Sequence, residues 1–178
     1  MSAAQGGALP ADGAAAKLSA ALAECQLHSS VLTAALQEVQ CLLPFDAASA
    51  QAIDAGQRRL LDQIAYRFGK LQDSLGEKVL PGLLVAAQEP FAPEATFIEK
   101  LQRLERLGAV ASAADWKLLR ELRNALAHDY PDAPALQAAW LNRLMTSVPV
   151  LLNMARSAHE FARRIGLNGL NEQDRPVA

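Results

Sequence analysis

Leu18, Leu22, Cys25, Ser29, Leu32, Leu36, Val39 and Leu43 recur at steps of three and four, and this spacing limits what the first part of the chain can become. Residues three and four apart share one side of an α-helix, whereas a half-buried strand needs alternation at every second position. The same spacing returns in Leu60, Leu61, Ile64, Phe68, Leu71 and Leu75. It returns again in Phe97, Ile98, Leu101, Leu104 and Leu107, and then in Leu136, Trp140, Leu144, Val148, Leu151, Leu152 and Ala155. Apolar residues make up 51% of the chain but aromatics only 5%, so Ala and Leu carry the apolar content. Both are strong helix formers, while the β-branched and aromatic residues that favour strands are scarce. An all-α protein is expected.

At 178 residues the chain is the size of one domain, large enough to bury a core without disulfides or metal. Residues 1–13, rich in Gly, Ala and Pro, read as a disordered lead. Residues 14–166 form the helical domain, and residues 167–178 read as a flexible tail. Within the domain a first helix is expected from about Ala14 to Leu43, ended by Pro44. A second stretch runs from about Ala48 to Gln88, kinked or interrupted at Pro81-Gly82. A shorter helix from about Ala95 to Leu107 should stop at Gly108. Ser112 stands three residues before Asp115, a cap for a helix running to about His128 and closed by Pro131. Asp132 should cap the last helix, about Pro134 to Ile165, which Pro149 should kink. Four main helices and one short one with brief connections predict an up-and-down bundle.

The net charge of −2 and pI near 5.9 lack the basic excess of a non-specific nucleic-acid binder. From Glu99 to Arg164 the balance leans the other way, with ten Lys and Arg against seven Asp and Glu. Cys25 and Cys41 fall on one predicted helix roughly 24 Å apart, which excludes a bridge between them. The first residues lack a basic start and an apolar stretch of signal-peptide type, and no apolar run approaches a membrane span. A cytoplasmic protein without membrane contact is expected.

Chemistry concentrates at residues 115–130. On a helical wheel with Arg123 at zero, Leu118, Leu119, Leu122 and Leu126 fall between roughly 220° and 320°, a core-facing stripe. Asn124 lies near 100°, His128 near 140° and Tyr130 near −20°, on the side away from the leucines. Ala127 between them leaves room for a ligand or a second chain. An Arg, an amide and a His on one open face suit phosphodiester cleavage. RNA cleavage needs a base for the 2′-hydroxyl, an acid for the leaving 5′-oxygen and positive charge for the crowded phosphorane. Histidine can be base or acid near neutral pH, and arginine matches phosphate oxygens with paired donors. One His cannot easily make both proton transfers, so a homodimer with a composite site is expected. No metal or other cofactor is called for.

Arg123-Asn124-Ala-Leu-Ala-His128 resembles the arginine–polar–histidine signature of the HEPN superfamily of helical ribonucleases. The fuller RNALAHDY, with Tyr130 two beyond the His, resembles the HepT-like toxins paired with minimal nucleotidyltransferase antitoxins. The resemblance covers roughly residues 50–165. It implies a dimeric helical bundle with Arg123 and His128 catalytic at a cleft between protomers and Asn124 in support. It also implies an endoribonuclease that cuts RNA, tRNA among the candidates, and an antitoxin that silences it by adenylylating Tyr130. The segment YRFGKLQ, Tyr66 to Gln72, resembles the family's second-helix signature, which would turn Arg67 to the cleft.

Plainer roles stand beside these. His128 alone would suit the negative end of a helix dipole, Arg123 would pair with Glu121 or a nearby carboxylate, and Tyr130 would pack the turn before Pro131. Arg67 divides evenly between a structural ion pair and a cleft residue. His28 and His159 read as incidental surface or boundary residues, Arg58-Arg59 and Arg163-Arg164 as solvated faces, and Trp116 and Trp140 as core or interface. A non-catalytic subunit that binds nucleotide or substrate for a nucleotidyltransferase partner is the alternative function, and a structural helical adaptor a weaker third.

Overall fold

The computed structural model describes residues 11–89, 91–92, 94–125 and 133–167, and every regular element among them is helical. Helix α1 spans Ala11–Val39 and ends in a 3₁₀ turn, Gln40–Leu42. Then follow α2 (Ala47–Gln51), α3 (Ala55–Ser74), a π turn (Leu75–Val79), α4 (Leu80–Ala86), α5 (Phe97–Arg106), α6 (Ala113–Ala125) and α7 (Pro134–Arg164). Helix α1 packs chiefly on α3, α2 on α7, and α6 touches α3, α5 and α7. The arrangement is compatible with a helical bundle.

Helix α1 starts at Ala11, three residues inside the segment expected to be a disordered lead. The alanines of Ala11–Ala16 make a helix without needing an apolar stripe. Its buried positions are Leu18, Ala21, Leu22, Cys25, His28, Leu32, Ala35 and Val39. The polar residue on this seam is therefore His28 rather than Ser29, which is only half-buried. Cys25 and Cys41 are both free, and burial pushes the Cys25 thiol up to about 12.

The helical stretch expected from about Ala48 to Gln88, with one kink or interruption, is broken twice. Asp46 and Asp54 each accept from the backbone N–H three residues on, and each donates its own backbone N–H to the side-chain oxygen of that residue. These two capping boxes start α2 and α3 separately. Further on, the interruption expected at Pro81-Gly82 comes earlier, as the π turn, where the Leu80 N–H donates to the Leu75 carbonyl. Pro81 supplies no N–H to the Glu77 carbonyl, and its ring would crowd that oxygen in an α-turn. Widening the preceding turn relieves the clash, and Pro81 then sits in the first turn of α4.

The other stops follow residue type closely. Gly108 has φ 71°, its N–H donates to Glu105, and Ala109 donates to Leu104, the Schellman pattern that ends α5. The Asp115 N–H donates to Ser112 Oγ at 3.2 Å, as the cap spacing implies. Asp132 lies outside the described residues, and Ala133 holds the N-cap position of α7 without a side-chain bond. Helix α7 runs on through Pro149 as one element. Phe68, Leu71, Leu75, Leu83, Leu104, Leu144, Val148 and Leu151 form the centre of the core. Leu118 and Leu136, expected inside, are 55% and 58% exposed. No helix among the described residues is long and apolar enough to cross a membrane.

Candidate functional site

Trp116 sets the rotation of α6. The expected leucine stripe puts Leu118 inside, while Trp116, read as core or interface, lies near 20° on the same wheel, outside that stripe. Instead Trp116 is buried, its ring lies 5.7 Å from that of Phe97, and Leu118 is turned out. Burying the larger indole outweighs burying a leucine. Room for it comes from the π turn, where Gly76 meets the indole so closely that a Cβ there would lie 2.7 Å from Trp116 Cζ2. The buried face of α6 is therefore Ala113, Trp116, Leu119 and Leu122.

That rotation carries Arg123 to the edge of the core, against α3. Its Nε and Nη2 donate to the two carboxylate oxygens of Asp73 at 3.0 and 2.9 Å. The partner is thus Asp73 rather than Glu121, which approaches Arg143 at 3.9 Å instead. The hydrogen bond to Asp73 raises the arginine's pKa further above its ordinary value. Both side chains keep contact with solvent, at 43% for Arg123 and 32% for Asp73. An exposed pair of this kind is worth about 0–1 kcal/mol. Its main effect is to orient the guanidinium.

Arg123 and Asn124 open onto a cavity of about 450 Å³ between α3, the π turn, α5 and α6. Gln72, Gly76, Phe97, Trp116 and Arg120 complete most of its wall, with Asp73 of α3 and Glu77 of the π turn. Gln72 and Trp116 are both buried, and the Gln72 Nε2 and Trp116 Nε1 donors have no acceptor among the described residues. A buried donor left unpaired costs about 1–3 kcal/mol. Neither residue was marked for chemistry by the sequence. The glutamine is hidden inside an amphipathic helix, and the π turn that recruits it has no short motif.

His128 and Tyr130, the second catalytic residue and the modification target of the sequence reading, lie outside the described residues, as does Asp129. Arg67 is not brought to Arg123. It sits about 120° from Asp73 around α3, and its Nη1 lies 3.0 Å from His28 Nδ1 on α1. A guanidinium only donates, so Nδ1 accepts and the neutral imidazole carries its proton on Nε2. That nitrogen stands 3.8 Å from Glu24, which binds Lys78 Nζ at 2.7 Å. Burial first, then the Arg67 charge, holds the His28 pKa below its ordinary value. His28 is thus a buried acceptor and not an incidental surface residue. His159 is half-buried with a lowered pKa, from burial and then from Arg163.

No group of three His, Cys, Asp or Glu placed to hold a metal ion occurs among the described residues. A larger groove of about 770 Å³ runs between α1 and α4, but its wall is mostly apolar, with Leu18, Ala21, Gly82 and Val85. Searches against protein-family models, curated proteins and solved structures find no match to the chain.

Proposed function

We propose that the chain is a HEPN-type, metal-independent endoribonuclease acting as the toxin of a toxin–antitoxin pair. Two copies join to complete the site, and a cognate nucleotidyltransferase silences it by adenylylating Tyr130. The observation that carries this reading is Arg123, held in a fixed pose by Asp73 at the mouth of a polar cavity, within the sequence RNALAHDY. Asp73 takes one edge of the guanidinium, and the remaining N–H donors stay available to phosphate oxygens.

In the reaction, His128 of one copy accepts the 2′-hydroxyl proton as the 2′-oxygen attacks phosphorus. The bond to the 5′-oxygen breaks, and the partner's His128 supplies that oxygen with a proton. Arg123 stabilises the charge that gathers on the non-bridging oxygens, with Asn124 beside it. The test is cleavage of labelled RNA by the purified chain in EDTA. Cutting that disappears in Arg123→Ala and in His128→Ala supports the reading, and cutting that survives both overturns it.

One observation favours a second reading. Asp73 already meets the charge of Arg123, which suits a non-catalytic subunit that binds nucleotide for a nucleotidyltransferase partner. RNA that stays intact with the wild-type chain, while nucleotide binds, selects that reading.

A further inference from the structure

We propose that the cavity between α3, the π turn, α5 and α6 is a nucleotide subsite that receives one base against Phe97 and Trp116 and its phosphate at Arg120 and Arg123. The proposal rests on the reading of this face as one that takes RNA, and it deepens that reading by naming where a base goes.

Three features of the wall suit a base. Half-buried Phe97 gives an aromatic surface at the cavity, backed by the buried Trp116 ring 5.7 Å away and tilted by 50°. Every base presents a π-face to such a surface, and stacking tolerates any sequence. The Trp116 Nε1 and Gln72 Nε2 donors lack acceptors among the described residues, and base edges carry acceptors of the kind they need. The volume of about 450 Å³ falls within the ordinary range of small-molecule sites. Gly76 makes the wall rigid, because the indole rests directly on the backbone of the π turn. Single-turn π bulges inside α-helices occur frequently at functional sites.

The rim suits a phosphate of low charge. Arg123 and Asn124 stand three and four residues after Arg120 on α6, and all three line the cavity. Asp73 and Glu77 line it too, so two guanidiniums face two carboxylates. A balanced site accepts the single charge of a phosphodiester more readily than the charge of a triphosphate. One nucleotide residue of a strand fits this chemistry best, and a free nucleoside monophosphate, with about −1.5 to −2 charge at pH 7, fits it better than a triphosphate does.

The test uses the full chain carrying Trp140→Phe, which leaves Trp116 as the sole tryptophan reporter. Its fluorescence is titrated with an uncleavable deoxydinucleoside monophosphate, a nucleoside monophosphate, ATP, ribose 5-phosphate and inorganic phosphate. The proposal expects saturable quenching by the dinucleotide and the monophosphate, at least tenfold weaker binding of ATP and ribose 5-phosphate, and at least fivefold weakening in Phe97→Leu and in Arg120→Gln. Tighter binding of the dinucleotide marks a strand as the source, and tighter binding of the monophosphate marks a free nucleotide. Absence of quenching by either, equal binding of ribose 5-phosphate, or unchanged binding in both variants overturns it. RNA cleavage without nucleotide binding removes the subsite alone, and nucleotide binding without cleavage removes the ribonuclease reading and leaves the subsite.

Discussion

Arg123 on α6 and Asp73 on α3 face each other edge to edge, with two hydrogen bonds of 3.0 and 2.9 Å joining one side of the guanidinium to both carboxylate oxygens. Asp73 also lines the cavity onto which Arg123 opens, so the pair ties the placement of a candidate catalytic cation to the helix that carries the π turn.

Replacing that carboxylate should separate stability from activity. Asp73→Asn keeps the shape but loses the charge. It should cost about 0–1 kcal/mol in urea unfolding, because the pair is exposed. RNA cleavage should fall about 100-fold, since small misplacements of a catalytic group can cost that much. Equal cleavage rates for the variant and the wild type would show that Asp73 does not position Arg123.

The His28–Arg67 contact predicts a pH dependence. The folded state holds the His28 pKa below its unfolded value, so the unfolded chain binds more protons between the two. Stability from this group is complete above about pH 6.5 and declines as pH falls through the folded pKa. His159 contributes with the same sign. The urea midpoint should therefore drop between pH 7.5 and 5.5, and His28→Gln should flatten part of that drop. An unchanged pH profile in His28→Gln would contradict the assignment.

Gly76 should resist replacement. An exposed helical glycine gains stability on mutation to alanine, yet here a Cβ would stand 2.7 Å from the indole of Trp116. Gly76→Ala should destabilise by about 1–3 kcal/mol, as overpacking does. It should also shift Trp116 fluorescence in the Trp140→Phe chain. A stabilised variant would show that the π turn yields easily.

If Tyr130 is the modification site proposed above, its replacement should separate toxicity from its control. Adenylylation there would add negative charge to the RNALAHDY segment. Tyr130→Phe should remain toxic but lose rescue by the cognate nucleotidyltransferase, and the wild-type chain coexpressed with that enzyme should gain the mass of AMP. Full rescue of Tyr130→Phe would place the modification elsewhere.

The helical class was legible because leucine and alanine spacing states it directly, and the stop at Gly108 and the cap at Ser112 follow from local chemistry. The break before α3 was equally readable in Asp54 and Gln57, whose capping box the apolar periodicity masked. The candidate site was less accessible. Arg123 and Asn124 stand out in sequence, but the rotation of α6 depends on Trp116 meeting Gly76, a contact across 40 positions with no local signal. The same reason hides Asp73 and Gln72, which look like ordinary polar positions of α3. Arg67, weighed evenly between a structural pair and a cleft, meets the buried His28 of α1, a contact that the spacing within α3 alone does not reveal.

Growth and RNA integrity after induction of the chain alone test the central claim most directly, with Arg123→Ala and His128→Ala induced beside it at matched protein levels. The account predicts growth arrest and fragmented RNA with the wild type and neither effect with the two variants. Normal growth and intact RNA in all three cultures would contradict a ribonuclease toxin.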